Sequence, residues 1–520
     1  MRKYIYVVVF FSGLCCLGIE MAASRLLGNV FGTSNLVWAS IIGLILIYLA
    51  GGYFLGGKWA DRSGDETTFY RIMIWAAIST AAVPIASRPV LRLAANAFDQ
   101  LQLGILFGSF TSVLILLAVP MTLIGTASPF AIRLAVKDAR GVGSISGRIY
   151  GISTLGSFIG TFVPVLLLFP TIGTYRTFLF FSLILAIIGL VGLWLASGPR
   201  AVLQYIWVPL AIVALAIWGL PGTDKTTPGQ VYETESGYNY IQVLEQGDYR
   251  LLRLNEGQGV HSIYHPTQLI YMGPWEQVLA APFFNTPPYS PQNVKRLAII
   301  GLAAGTTARQ ATQAYGPIQI DGYEIDPKIV EVGREYFDMN QPNLNVFVQD
   351  GRWGLAHSQE KYQIISMDAY RPPYIPYHLT TREFFQIAYD HLTDDGVLVL
   401  NVGRAPEDRR MIDALATTLL TIFPSVHVID LPNSFNSILY ATVQPTEAAN
   451  LTANLKLLLE AREEEQVSPL LIFSIQTAML NLQPAPQQTL VFTDDKSPVE
   501  WITNAMVLNF IFSEEAQEMQ

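Results

Sequence analysis

The chain has 520 residues, 51% hydrophobic and 14% charged, with a formal net charge of −9. That average conceals a split: up to Leu220 there are fourteen Lys/Arg and six Asp/Glu, net +8, whereas the remainder carries eighteen and thirty-five, net −17. One uniform globule, a disordered chain and a nucleic-acid binder driven by phosphate neutralisation are excluded, and the two cysteines, Cys15 and Cys16, leave the acidic part without a disulfide framework or a cysteine metal site.

A bilayer core of ~30 Å needs about 20 apolar helical residues. Seven such runs are predicted: Tyr4–Ala22, Leu36–Leu55, Tyr70–Ser87, Gly104–Pro129, Tyr150–Pro170, Thr177–Ala196 and Leu203–Leu220. Residues 1–221 thus read as a transmembrane helical domain of seven or eight spans. The first run is no cleavable signal peptide, since six more follow it. Basic residues concentrate in alternate loops (Arg2 and Lys3; Lys58, Arg62 and Arg71; Arg133, Lys137, Arg140 and Arg148). By the positive-inside rule the N-terminus is cytoplasmic. Seven spans then leave the acidic domain outside, so an eighth or re-entrant span is expected within Gly104–Ala135. Glu20 and Arg25 sit at the end of the first span, where an interfacial pair competes with a functional reading. The segment GKWADRSG, with Gly57, Asp61, Arg62 and Gly64, resembles the loop signature of major-facilitator transporters. The glycines from Gly141 to Gly160 read as close helix packing.

The turn-rich segment Pro221–Gly229 closes this part. Residues 222–266 hold short aromatic and apolar runs broken by Gly and Asn, the pattern of a small antiparallel β module. Within 267–520, LAII, IQIDGYE, NVFVQD, YQIISMD, GVLVLNV, SVHVID and ILYATV alternate with helical stretches. That predicts a doubly wound, mostly parallel Rossmann-like α/β sheet. The apolar run Leu470–Leu482 is too short to span a bilayer and reads as a packed helix, on the membrane face or elsewhere.

The first strand of that sheet ends in Gly301-Leu302-Ala303-Ala304-Gly305-Thr306. Small residues there let backbone approach a ligand, and the following helix favours electron-rich groups. The second strand ends in Glu324-Ile325-Asp326, with Glu324 twenty-three residues after Gly301. An acid at that place can accept hydrogen bonds from ribose hydroxyls. The third strand ends in Asp350-Gly351, where a carboxylate could take an adenine amine, and the fourth in Asp368, at the edge where such sheets bind ligands. Each acid singly could cap a helix. The ordered set after a glycine turn points to a nucleotide site, and no GxxxxGK[ST] phosphate loop is present.

In this order the residues from about Tyr232 to Val402 resemble spermidine synthases, the polyamine aminopropyltransferases, which share the class I methyltransferase-like sheet. The whole chain, including Thr493-Asp494-Asp495 and Pro498-Val499-Glu500, resembles the membrane-integrated spermidine synthase-like proteins. The resemblance implies that Glu324 binds the donor's ribose and Asp350, beside Gly351, its adenine amine, with Asp326 also among the donor-binding residues. Gly301, Ala304 and Gly305 would line the cleft, joined by Asn239 where the family has Gln. Asp368 would be the catalytic acid that accepts a proton from, or orients, the attacking nucleophile. Gln258, His261, Trp275, Glu276, Tyr370 and Arg371 would contact substrate. The family needs no metal and no prosthetic group; its co-substrate is decarboxylated S-adenosylmethionine.

Three departures alter the expectation. The acid of the family's glycine turn is Ala304 here, the second acid after strand four is Arg371, and the family's His is Trp275. An Arg near a polyamine ammonium costs a few kcal/mol at ~4 Å and an effective dielectric near 20. Ala304 in turn removes a barrier to the carboxylate of undecarboxylated S-adenosylmethionine. The expected function is therefore a membrane-integrated, aminopropyltransferase-like transferase of polyamine-type chemistry. It would take either donor, transfer or cyclise its propyl arm, and release methylthioadenosine. The alternatives are an adenosyl-nucleotide sensor coupled to a transporter-like domain, and a membrane methyltransferase. Expected partners are the lipid bilayer and a small-molecule amine or the self-cyclising donor, with a homodimer as an option and no nucleic acid. The expected place is the cell (inner) membrane with a cytoplasmic catalytic domain.

Overall fold

The computed structural model describes residues 2–31, 35–101, 105–136, 141–219, 227–255, 259–370, 374–405, 407–465 and 467–511. The chain divides into two compact units, Met1–Thr226 and Thr227–Gln520.

The first unit contains α1 (Arg2–Phe31), α2 (Asn35–Ser63), α3 (Glu66–Leu101), α4 (Ile105–Gly125), α5 (Ala127–Ala135), α6 (Val142–Val163), α7 (Phe169–Ser197), α8 (Pro199–Leu203) and α9 (Trp207–Trp218). Six stretches are long and apolar enough to cross a membrane, and one of them, Val142–Ser197, is 56 residues long. A π-helical turn at Pro164–Leu168 precedes its break at Gly173, where φ is +75°. The stretch thus holds two of the seven predicted runs. Among the described residues no eighth run appears. The region expected to be re-entrant is a kinked but continuous path, because Thr126, between α4 and α5, keeps helical angles (φ −66°, ψ −19°). Helix α1 packs on α6 and α3 on α7. Gly156 and Gly160 face α1 so closely that a Cβ would overlap the carbonyl oxygens of Phe10 and Leu14, the use of small residues expected between membrane helices. In the transporter-like loop signature, Asp61 pairs with Arg133 at 3.6 Å. Both side chains are more than half exposed, so the pair contributes little.

The second unit begins with a four-stranded antiparallel meander, β1 (Gln230–Glu235), β2 (Tyr240–Gln246), β3 (Tyr249–Leu254) and β4 (Val260–Tyr264). A buried turn of helix, α10 (Pro274–Gln277), leads into β5 (Arg296–Ile300), α11 (Thr306–Tyr315), β6 (Gln319–Glu324), α12 (Pro327–Tyr336), β7 (Leu344–Val348), α13 (Gly351–Ala356) and β8 (Tyr362–Met367). Then come α14 (Arg382–Asp390), β9 (Leu392–Gly403), α15 (Arg410–Leu419), β10 (Ser425–Asp430), β11 (Asn436–Thr442), α16 (Ala449–Glu465), α17 (Pro469–Leu480) and α18 (Val499–Ile511). The sheet order is β10-β11-β9-β8-β5-β6-β7. Only β11 runs antiparallel to its neighbours. This is the Rossmann-like, methyltransferase-type sheet, and all seven predicted strands are in it. Separate apolar clusters cover its two faces. Helix α17 is not on a membrane face: Leu470, Leu471, Ile472, Ile475 and Ala478 are buried in one of these clusters. Chain order reverses between β5 and β8, the switch point where open α/β sheets bind ligands.

Candidate active site

At that switch point the chain leaves β5 through Gly301 (φ +85°), Ala303 (φ +49°) and Gly305 (φ +83°). A Cβ on Gly301 would lie 2.6 Å from the carbonyl oxygen of Asp368, so glycine is what lets the ends of β5 and β8 meet. The turn is held from both sides. Ala303 N donates to Glu324 Oε2 at 2.9 Å, and Ala304 N to Ser262 Oγ at 2.9 Å. Thr306 Oγ1 donates to the carbonyl of Ile263 and accepts from its amide, stitching β4 to the first turn of α11.

Two carboxylates sit at this edge with hydrogen-bond donors but no basic partner among the described residues. Glu324, 7% exposed at the end of β6, also accepts from Asp326 N at 3.1 Å. Burial pushes its carboxyl up to about 7 despite the amide donors. Asp368 follows β8, and burial pushes it up to about 7 as well. Its Oδ1 accepts from Asn401 Nδ2 at 2.8 Å, and Asn401 is itself held by Asn436 Nδ2 at 2.8 Å. No basic side chain pairs with either acid among the described residues. A buried carboxylate in this state favours a ligand that donates hydrogen bonds or carries positive charge.

Asp350 is half-buried at the N-terminus of α13. Its Oδ1 accepts from Trp353 N at 2.9 Å and its Oδ2 lies 3.0 Å from His378 Nε2. The hydrogen bond with His378 holds this carboxyl below the usual range. At Gly351 a Cβ would overlap Ile300 Cγ2, so α13 approaches β5 as closely as backbone allows.

Several predicted contacts have structural duties instead. Asp326 is fully buried: Oδ1 caps α12 at Lys328 N (3.0 Å), while Oδ2 accepts from Ser236 Oγ (2.5 Å) and Asn239 Nδ2 (2.9 Å). Asn239 is occupied with Asp326 and Asn255, so both residues join the β module to α12. Ala304 is 2% exposed in an apolar cluster with Ile241, Val243 and Val332, in the core and not on a ligand surface. Glu276 is fully buried and accepts from the amides of Tyr271 and Gly273, and Trp275 packs on Tyr271. The Tyr370 hydroxyl donates to Asn401 O at 2.9 Å and accepts from Gly403 N at 2.7 Å. In each case the polar atoms are used by the protein itself. Gln258 and Arg371 lie outside the described residues. His261 keeps a buried Nε2 with no partner among the described residues, and burial lowers its pKa to about 4, so the ring is neutral near pH 7.

Sequence reasoning missed Asn401 and His378. The first was signalled by a lone polar residue inside the apolar run GVLVLNV; the second, ten residues beyond Asp368, carried no local signal.

A model of the spermine/spermidine synthase domain matches residues 280–450. Over these residues the chain is similar to that domain. The probable polyamine aminopropyl transferase of Bifidobacterium longum is 30% identical over 295 residues, covering 55% of this chain and 64% of that protein. The polyamine aminopropyltransferase of Vibrio vulnificus is 29% identical over 286 residues, 52% of this chain and 89% of that one. Against solved structures, a probable spermidine synthase from Corynebacterium glutamicum is 22% identical, with a TM-score of 0.38 over 45% of this chain and 88% of its own. A spermidine synthase in complex with the transition state analogue AdoDATO is 18% identical, with a TM-score of 0.39 over 49% and 84%. The fold of the second unit rests on this chain's own strand order.

Proposed function

We propose that this protein is a membrane-integrated, aminopropyltransferase-like enzyme that releases methylthioadenosine from an adenosyl sulfonium donor. The observation that carries the reading is the pair Glu324, buried, and Asp368, half-buried, both pushed up to about 7, on either side of the glycine turn. In the proposed site Glu324 accepts from the ribose hydroxyls and Asp350 from the adenine amine. Decarboxylated S-adenosylmethionine is the donor for which the family argues, and intact S-adenosylmethionine is the second donor to be tried. Asp368 takes the nucleophile's proton. An amine nitrogen attacks the carbon beside the sulfonium, the C–N bond forms as the C–S bond breaks, and the sulfur keeps the electron pair as a neutral thioether. Positioning and proton removal supply the catalysis.

The acceptor side departs from a plain spermidine synthase. Arg371 stands where an acid would hold a diamine, which supports another nucleophile or cyclisation of the propyl arm. Purified protein incubated with each donor, with and without putrescine, tests the proposal by mass spectrometry. Methylthioadenosine is expected. Homocysteine-bearing product would instead identify methyl transfer, and binding without product a sensor. A cytoplasmic site suits the donor, whereas seven crossing helices behind a cytoplasmic N-terminus suit the opposite face; reporters fused at Met1 and Gln520 read which constraint holds.

A further inference from the structure

The late segment Thr493-Asp494-Asp495…Pro498-Val499-Glu500 has no part in the chemistry above, yet it is bonded to the adenine corner. Asp494 takes Arg352 in a two-pronged pair, Nη1 to Oδ1 and Nη2 to Oδ2, each 2.7 Å. Such forks fix geometry as well as charge. Asp494 Oδ1 also accepts from Thr381 Oγ1 at 2.7 Å, and Asp494 N donates to Glu383 Oε2 at 3.0 Å. Around it, Arg382 N donates to Phe492 O at 2.9 Å, and the hydroxyls of Thr380 and Ser497 lie 2.9 Å apart.

Arg352 stands one residue past Gly351, in the helical turn that Asp350 caps. Its Nη1 donates to the carbonyl of His378 at 3.0 Å, and the ring of that same His378 meets Asp350. The guanidinium therefore anchors the segment that carries His378, the partner of Asp350. Asp350 and Glu383 are the other acids whose charge Arg352 feels. Without Asp494, Arg352 has a competing carboxylate two residues away. Captured by Arg352, Asp350 would turn from a ligand's amine toward its own helix.

We propose that Asp494 is a positioning residue for adenine recognition: it holds Arg352 away from Asp350 and fixes His378, so that Asp350 meets the exocyclic amine in one orientation. The inference rests on the reading of Asp350 as the adenine contact. The full-length protein in detergent is titrated calorimetrically with methylthioadenosine and with methylthioinosine, which lacks the amine. Wild type favours the amine by roughly tenfold or more, the worth of one hydrogen bond to a charged group. Asp494→Asn brings that preference close to unity while methylthioinosine affinity holds, and Asp494→Glu restores part of it. Asp495→Asn, at the exposed neighbouring acid, changes neither ligand. An Asp494→Asn protein that keeps the preference overturns the proposal, and so does equal loss of both ligands, the mark of structural support alone. Wild type that binds neither ligand refutes the adenosyl reading itself, and wild type that binds both equally refutes Asp350 as the amine contact.

Discussion

Replacing Asp368 by Asn tests the central acid through stability as well as turnover. The substitution keeps the shape and the acceptor for Asn401 Nδ2 but removes the charge and the proton-accepting oxygen. Burial moves this carboxyl from 3.8 to about 7. A carboxyl that holds its proton more tightly folded than unfolded makes the folded state lose stability as pH rises between those two values. At ~1.4 kcal/mol per pH unit the full cost is on the order of a few kcal/mol, reached above pH 7. Asn carries no such cost. Thermal unfolding of the two proteins should therefore nearly coincide near pH 4, diverge as pH rises, and differ by a constant several degrees above pH 7, with the variant the more stable. In the product assay the variant should form methylthioadenosine at least about a hundredfold more slowly, the lower end for a general base, and still bind methylthioadenosine. A variant no more stable than wild type at pH 8 refutes the uncompensated charge. One that turns over normally removes Asp368 from the chemistry.

Glu324, also raised to about 7, should make methylthioadenosine binding tighten with pH, by roughly tenfold between pH 6 and 8 as the accepting carboxylate ionises; calorimetry on Glu324→Gln should give weaker binding with that rise abolished, and a flat wild-type profile would count against the ribose contact. Arg371→Asp restores an acid and should increase methylthioadenosine release on addition of putrescine; no response to putrescine would show that charge at 371 does not set the acceptor. In the helical unit, Gly156→Ala forces a methyl against Phe10 and should cost about 1–3 kcal/mol, seen as a lower unfolding temperature in detergent. Gly147→Ala, with open space around it, should cost nothing, and equal effects would deny the close contact between α1 and α6.

The parallel strands were legible because each is a short apolar run closed by a turn, and period and length suffice to read such runs. Glu324 and Asp326 show where that legibility ends. They stand two residues apart at a strand end, and the residues that divide their roles, Ser236 and Asn239, lie some ninety positions earlier. Only the docking of the β module decides which acid is consumed. The resemblance implies a substrate contact at Glu276, but a carboxylate three residues into a helix can be spent on the amides before it. Asn401 and His378 act through partners on other strands and loops, which a one-dimensional pattern does not record. Leu470–Leu482 was readable as a helix, but its apolar sides do not say which surface they cover.

The absence of a basic partner for Glu324 and Asp368 among the described residues also bears on how a cycle ends. A sulfonium donor brings the positive charge that this edge of the sheet lacks, so charge helps gather it. Breaking the C–S bond turns that sulfur into a neutral thioether, and the attraction goes with it. In the proposed reaction the chemistry itself loosens the hold on methylthioadenosine and, once Asp368 gives up the proton it took, leaves the two acids ready for the next cation, so the direction of traffic through the site follows from where the charge is spent.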